Sequence, residues 1–541
     1  MSDYGKYGMP PKKKGHGAKG YWIYGEGYYE QDGGVDPVPE PGYGKMPPIT
    51  DPSSQMKFCR MFPDLEKFQP TREDLEPLGT AMADISELPN PVDNPPDSAI
   101  PAGFTYFGQF VDHDISLTDG LPLDSGTTAP GSVDNVRTAS LDLDSLYGKG
   151  PDDPEVTFYE DDGVHLKIGT ADPVPPHAAP ELPNDLPRVP VNGQVPMRAD
   201  IGDHRNDENL AVAQTHLSLL KFHNKVVDDA SQPSDFESAR KVVRQHYQSI
   251  VWDDFVSRLV DPAIFQKVKN EGRKWYIPDG VDDPTDLCMP VEFSVAAYRL
   301  GHTMVRNTYE WNRVFSTGSP FLPKATLINL FQFSEVSGNL SPSSPNGDGF
   351  PRLPANWPVD WRRMHDLGAA DPVHSHDQLN FARPLNTVLA AKLGDLEEFR
   401  SVPEVALRNL AVRNLLRGAQ LGLATGQDIA AKIGATVLSQ AELTSGPHGG
   451  IVSDKGFDTR TPLWFYVLKE AEVQQGGQRL GDVGSTIVAE TFHGLIAHSE
   501  DSIFDEPGWT PSLKPGANSY TMADMLIYVD DINPLGENPT V

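Results

Sequence analysis

Residues 106–118 read YFGQFVDHDISLT, an aromatic and apolar run that ends in an Asp-His-Asp triplet, Asp112, His113 and Asp114. On a helix, successive side chains point about 100° apart. Three consecutive polar groups therefore face three directions: a core, a neighbouring strand or loop, and a ligand. A histidine set between two carboxylates on an otherwise apolar element calls for partners elsewhere in the chain.

Moving outward, helical periodicity is clearest in three long segments and a C-terminal part. ENLAVAQTHLSLLKFHNKVVDD (208–229) puts Leu210, Ala213, Leu217 and Leu220 on one face, and VEFSVAAYRLGHTMVRNTYEW (291–311) does the same with Phe293, Ala297, Leu300 and Met304. PEVALRNLAVRNLLRGAQLGL (403–423) opens on a proline and reaches Gly422 near its end, the usual asymmetry of helix termini. TPLWFYVLKEAE (461–472) and STIVAETFHGLIAHSED (485–501) make a helical C-terminal part. Strand-like alternation is scarce. The expected fold is mainly α, with long loops and little β structure.

Residues 1–55 are rich in Gly, Tyr, Pro and Lys with no regular period, and read as a flexible tail before a domain over 56–541. A second loop-rich zone covers 119–200. With 38% hydrophobic residues, 50 prolines and 48 glycines, many loops must be ordered by something other than regular structure. The net charge of −31 opposes nucleic-acid binding, which needs basic surface. Two cysteines, Cys59 and Cys288, exclude a disulfide framework and a cysteine-based zinc or iron–sulfur site, while one long-range bridge stays possible. No stretch approaches the roughly 18 apolar residues of a membrane span. The N-terminal MSDYGKYGMPPKKKGHGAKG has no apolar core of a signal peptide, so a cytoplasmic start is the default expectation.

The candidate partners of His113 are separately unremarkable. His302 follows Gly301, and a glycine beside a histidine lets a flat ligand approach the backbone. Arg205 and Glu208 precede the 208–229 helix, and Asn414 and Arg417 share a helix face three residues apart. Each alone reads as an ordinary salt-bridge or core residue. His223, His204 and Asp207 read as local structure, and the alternating histidines of HSH (374–376) as a polar loop.

Taken in order, GQFVDHD, TASLDLDSLYG (138–148), GDHRNDEN, YRLGHT and NLLRGAQLGL closely resemble the peroxidase–cyclooxygenase superfamily, the animal-type haem peroxidases, over about residues 60–515. The C-terminal segments look most like bacterial members. The resemblance implies a single large helical haem-peroxidase domain. His302 is then the proximal iron ligand, Asn414 accepts its other ring N–H, and Arg299 and Arg417 pair with haem propionates. It likewise implies that His113 is the distal acid–base histidine, with Arg205 its partner and Gln109 near the distal water and halide position. Asp112 and Glu208 match carboxylates that form esters with haem methyls, so an ester-linked haem b derivative is expected.

By the same resemblance Asp114 is a ligand of one calcium ion, with Thr138, Ser140, Asp142 and Asp144. Those four residues alternate as oxygen donors on one side of an extended segment would. There is one departure. Chloride-oxidising members carry a vinyl-bonded methionine after the ester-forming glutamate, and Asn209 stands there. This points away from chloride and toward iodide, bromide, thiocyanate or phenolic donors, with hydrogen peroxide as oxidant.

Two other readings are carried forward. A fatty-acid dioxygenase of the same superfamily needs a tyrosine three residues before the proximal histidine, where Arg299 stands; Tyr298 is one residue too early. A non-catalytic calcium-binding or adhesion protein on this fold is compatible with the acidic surface. The sequence is silent on oligomeric state. A source of diffusible oxidants is hazardous inside a cell, so export by a non-standard route is a further expectation.

Overall fold

A computed structural model describes residues 20–23, 27–30, 56–83, 97–118, 121, 123, 126–173, 181–191, 194–276, 288–319, 322–334, 352–368, 378–396 and 404–537. Within the N-terminal stretch, β1 (Gly20–Ile23) and β2 (Gly27–Glu30) pair antiparallel, so this part of the expected tail carries a short hairpin. The elements that matter for the site follow. They are β3 (Met56–Cys59), α1 (Arg72–Ala83), α2 (Gly103–Ile115), β4 (Asp134–Asn135), α3 (Asp144–Tyr147), α4 (Leu210–Asp228) and α5 (Phe236–Ser249). After them come β5 (Cys288–Pro290), α6 (Gly301–Met304), α7 (Leu410–Gln420), α8 (Leu463–Gln475) and α9 (Asp482–Ala497). Helices dominate, and the sheets among the described residues have two or three strands.

The opening stretch is helical. In α2, eleven of the thirteen residues from Gly103 to Ile115 are buried, so the helix is surrounded rather than laid on a surface. It packs against α4 on one side and α6 on another. The buried apolar residues form one connected core from Met56 to Leu526.

Two periodic segments depart from expectation. The stretch 291–311 is not one helix. It has one turn at Val291–Ser294, a break at Val295 and Ala296, a tight turn at Ala297–Leu300, then α6, with extended chain at Thr308–Tyr309. At the break, Arg299 Nε donates to the Ser294 carbonyl at 3.1 Å, giving that oxygen a side-chain partner where a continuous helix would give it a backbone one. The apolar spacing survives because both pieces bury their faces. The helix expected from 403 begins only at Leu410, where Asn409 Oδ1 accepts from the backbone N–H of Ala411 and Val412. A polar cap overrides the upstream spacing.

The three-stranded sheet orders β4-β3-β5, with β3 and β5 parallel. In this register Cys288 pairs with Lys57 and Cys59 with Pro290, so the two cysteines lie two positions apart on adjacent strands, where they form a disulfide.

Candidate active site

His113 is buried in the last turn of α2. Its Nδ1 lies 2.8 Å from Asn206 Oδ1, and the Asn206 amide nitrogen lies 3.0 Å from His216 Nδ1. An amide oxygen accepts, so Nδ1 carries the proton and Nε2 the lone pair. That Nε2 is buried with no hydrogen-bond partner among the described residues, 3.8 Å from Glu208 Oε1. Burial first, and the Arg205 charge second, push the imidazole down to about 3. The ring is held neutral, in the tautomer of a base.

Asn206 and His216 escaped the sequence reading. Asn206 lies inside the quoted GDHRNDEN motif, but its aim depends on His216, one helix away on α4. Phe110 packs edge-on against that same histidine, with ring centroids 5.7 Å apart.

Around His113, Gln109 donates its amide to Glu208 and accepts from Asn209 Nδ2 at 3.0 Å. The Asn209 oxygen caps α4 by accepting from Val212 N–H at 3.0 Å. Asparagine at this place thus starts a helix and fixes Gln109. Asp112 is partly buried; desolvation raises its carboxyl above the usual range against the pull of Arg205 and Arg299. Ser116 Oγ donates to it at 3.1 Å.

Arg205 sits beneath α2. It donates to the carbonyls of His113 (2.7 Å) and Ser116 (2.8 Å), and through Nε and Nη2 to Asp203. Its charge therefore caps the end of the distal helix.

On the other side, His302 is buried in α6, and its Nδ1 is 2.7 Å from Asn414 Nδ2. The expected pair forms with its amide reversed: Asn414 Oδ1 accepts from Arg299 Nη1 at 2.8 Å, so the amide nitrogen faces the ring. The cause is the guanidinium, which claims the carbonyl. Drawing Arg299 to an anion and turning the amide lets Oδ1 accept the His302 N–H. Trp464 of α8 lies beside the ring, centroids 6.5 Å apart.

A cavity runs between the two histidine-bearing elements, lined by Thr105, Gly108 and Asp112 of α2 and by Tyr298, Arg299 and His302 among others. A neighbouring cleft brings together Arg205, Arg299 and Arg417 against apolar walls that include Phe58 of β3. Arg417 also donates to Gln420 at 2.6 Å. A buried imidazole nitrogen lacking a partner, an intervening cavity and three clustered guanidiniums fit a planar group carrying carboxylates at one edge.

The cation candidates also converge. Asp114, Asp142 and Asp144 place carboxylate oxygens within 4.8 Å of one another. Thr138 Oγ1 and Ser140 Oγ donate to Asp142 at 2.8 and 2.7 Å, which puts all five expected ligand residues at one place. The segment is not extended, contrary to its alternation. It bends, and Leu143, with φ of 60°, turns the chain into α3 so that Asp142 and Asp144 both meet Asp114. Burial, then the Asp142 charge, raise Asp114 to about 7, and burial raises Asp144 well above the usual range. Buried carboxylates this close call for a cation or protons. A hard divalent ion suits an all-oxygen set.

His223 donates or accepts locally with Tyr147 at 3.0 Å, and Asp207 pairs with Arg188 at 2.8 Å; both are structural. His374 and His376 lie outside the described residues.

Fold and site together define a mainly helical protein with a buried cavity lined by His302 and Asp112 and a cluster of guanidiniums beside it. Residues 122–337 match the family model described as animal haem peroxidase. The chain is 25% identical over 331 residues to a peroxidase-like protein of Margaritifera margaritifera, covering 49% of this chain and 38% of that one. It is 26% identical over 195 residues to human thyroid peroxidase, covering 33% and 20%. The aligned part thus spans well under half the length of these curated relatives. Among solved structures, peroxidase A of Dictyostelium discoideum superposes with a TM-score of 0.56 at 15% identity, covering 90% of this chain and 94% of that one. A fatty acid alpha-dioxygenase of Arabidopsis thaliana gives 0.51 at 13%, covering 88% and 76%. The chain is thus similar, over part of its length, to the animal haem peroxidases, a family whose cofactor is haem.

Proposed function

We propose that the protein is a haem peroxidase that reduces hydrogen peroxide and oxidises iodide, bromide, thiocyanate or small phenolic donors. The observation that carries this reading is the buried His113 Nε2, which has no hydrogen-bond partner among the described residues and is kept in its basic tautomer by Asn206 and His216. When bound, haem supplies an iron that takes up peroxide and accepts oxidising equivalents from it.

His302 would hold that iron, with Asn414 setting its orientation and Arg299 and Arg417 holding the propionates. His113 Nε2 takes the proton from the peroxide oxygen that binds and returns it to the departing one, so that water leaves. Burial, with the Arg205 charge second, keeps His113 neutral, and Arg205 anchors the turn that carries it. Gln109 orders small molecules beside the histidine. Asp112 and Glu208 would form the esters; in the structure Glu208 adjoins His113. One calcium ion would occupy the Asp114, Thr138, Ser140, Asp142, Asp144 cluster.

The test is the absorption spectrum of purified protein before and after one equivalent of peroxide, followed by extraction with acidified acetone. A Soret band that shifts promptly, with haem retained by the protein, is expected. No Soret band after haem and calcium are supplied overturns the reading in favour of a non-catalytic protein on this fold.

One observation favours a second reading, the fatty-acid dioxygenase: Tyr298 lines the central cavity, its hydroxyl donating to the Gly108 carbonyl at 3.0 Å. Oxygen uptake with a polyunsaturated fatty acid and no peroxide would select it.

Export by a non-standard route remains part of the proposal, supported by the Cys59–Cys288 bridge, since disulfides persist mainly in oxidising compartments. Finding the protein only in washed cell lysate would sink it. Among the described residues no helix is long and apolar enough to cross a membrane.

A further inference from the structure

Beneath the distal helix runs a buried line of alternating charges. Arg137 Nη1 lies 3.4 Å from Asp144 Oδ1, and its Nη2 pairs with Asp203. Asp203 in turn holds Arg205, accepting from Nη2 at 2.7 Å and Nε at 3.1 Å. Arg205 ends on the carbonyls of His113 and Ser116. The four side chains expose at most 7% of their surface. Asp144 belongs to the cation cluster, and His113 is the proposed base. Arg137 and Asp203 lie between them, outside both the ligand set and the lining of the central cavity.

The charges give this line a direction. Asp114, Asp142, Asp144 and Asp203 are four carboxylates facing the two guanidiniums of Arg137 and Arg205, and one divalent cation fills the deficit. The neighbouring Arg244 is engaged with Glu500 and Asp501 and with the Asp142 backbone oxygen. Without the cation, the crowded carboxylates compete with Asp203 for Arg137, which contacts both Asp144 and Asp203. With it, they are neutralised, Arg137 is left to Asp203, and Asp203 to Arg205.

We propose that Arg137 and Asp203 are positioning residues that couple the cation site to Arg205, so that cation occupancy sets how firmly the His113 turn is held. The inference rests on the calcium reading above. Coupling of this kind is reciprocal, and its sign is specific. Arg137 repels the cation and competes for Asp144, so Arg137→Gln should bind calcium more tightly. Asp203→Asn releases Arg137 to Asp144 and should bind it more weakly. Each shift should be roughly fivefold or more, the lower end of usual coupling between sites. Simple structural damage would weaken binding in both.

The experiment uses the full-length haem-loaded protein, stripped of calcium with a chelator, and titrates calcium by calorimetry. Hydrogen exchange at residues 113–118 is followed in parallel. Calcium should slow that exchange in the wild type and leave it nearly unchanged in both variants, although both still bind. Arg137→Lys, which keeps the charge, should restore part of the protection and serves if Arg137→Gln fails to fold. Wild-type protein that binds no calcium overturns the cation reading and the relay with it. Calcium binding that leaves exchange at 113–118 unchanged, or affinity shifts of the same sign in the two charge-removing variants, overturns the relay alone.

Discussion

His113 and His302 stand on unlike supports: His302 lines the central cavity, and His113 follows Asp112, which lines it from α2. His113 rides a regular thirteen-residue helix, and its ring is set by a side-chain chain from another element, through Asn206 to His216. His302 sits on a four-residue turn after a broken segment, and its ring partner, Asn414, is shared with Arg299. The first histidine is locked before any cofactor arrives. The second is coupled to a guanidinium that a cofactor carboxylate would attract. A proton-transfer group gains from rigidity of tautomer, whereas a metal ligand gains from partners that adjust on loading.

Replacing each histidine tests the contrast most severely. His302→Ala should abolish the Soret band of a histidine-ligated haem, read by absorption after reconstitution. His113→Ala should keep that band and slow reaction with peroxide by roughly 10²–10⁴-fold, the range for lost acid–base catalysis, read by stopped-flow. Asn206→Leu should leave haem in place and slow the same step by about ten- to a hundredfold, as for other lost orienting partners, because Nδ1 loses its acceptor. If Asn206→Leu costs nothing, the locked tautomer is not what makes His113 a base.

The smallest expected effect concerns pH. Burial, then the Asp142 charge, raise Asp114 to about 7, above its unfolded value, so it takes up a proton as pH falls through that value. Protons then compete with the cation, and the stability added by calcium should be largest above pH 7 and shrink as pH falls below it. Thermal unfolding with calcium and with chelator, from pH 8 to pH 5, measures that difference. A gap that widens toward acid would contradict it.

Much of this was legible in the sequence because it is local. The helix over 210–228 follows from its apolar spacing, and of the residues named by resemblance Asp112, Arg299 and His302 line one cavity while Asp114, Asp142 and Asp144 cluster at another place. What was not legible depends on distant partners. The break before His302 turns on an arginine reaching back to Ser294. The late start of α7 turns on Asn409. The cation loop needed a left-handed leucine that no alternation pattern contains. Asn414 shows a right pairing with the wrong amide end, since Arg299 decides which end is available. Asp203 lies inside GDHRNDEN, Arg137 just before TASLDLDSLYG and His216 within the 208–229 segment, yet only the fold brings their charges and lone pairs beside the named residues.

The bridge between Cys59 and Cys288 joins positions 229 apart. The ring it closes contains Asp112, His113, Glu208 and every cation residue, while His302 and Asn414 lie beyond it. A single peptide-bond cut anywhere inside the ring leaves both fragments tethered, with the distal half of the slot still attached to the strand that leads to His302. A single cut past Cys288 has no such insurance. Proteolytic nicking should therefore be survivable in one half of this molecule and severing in the other, until a reductant makes the two alike.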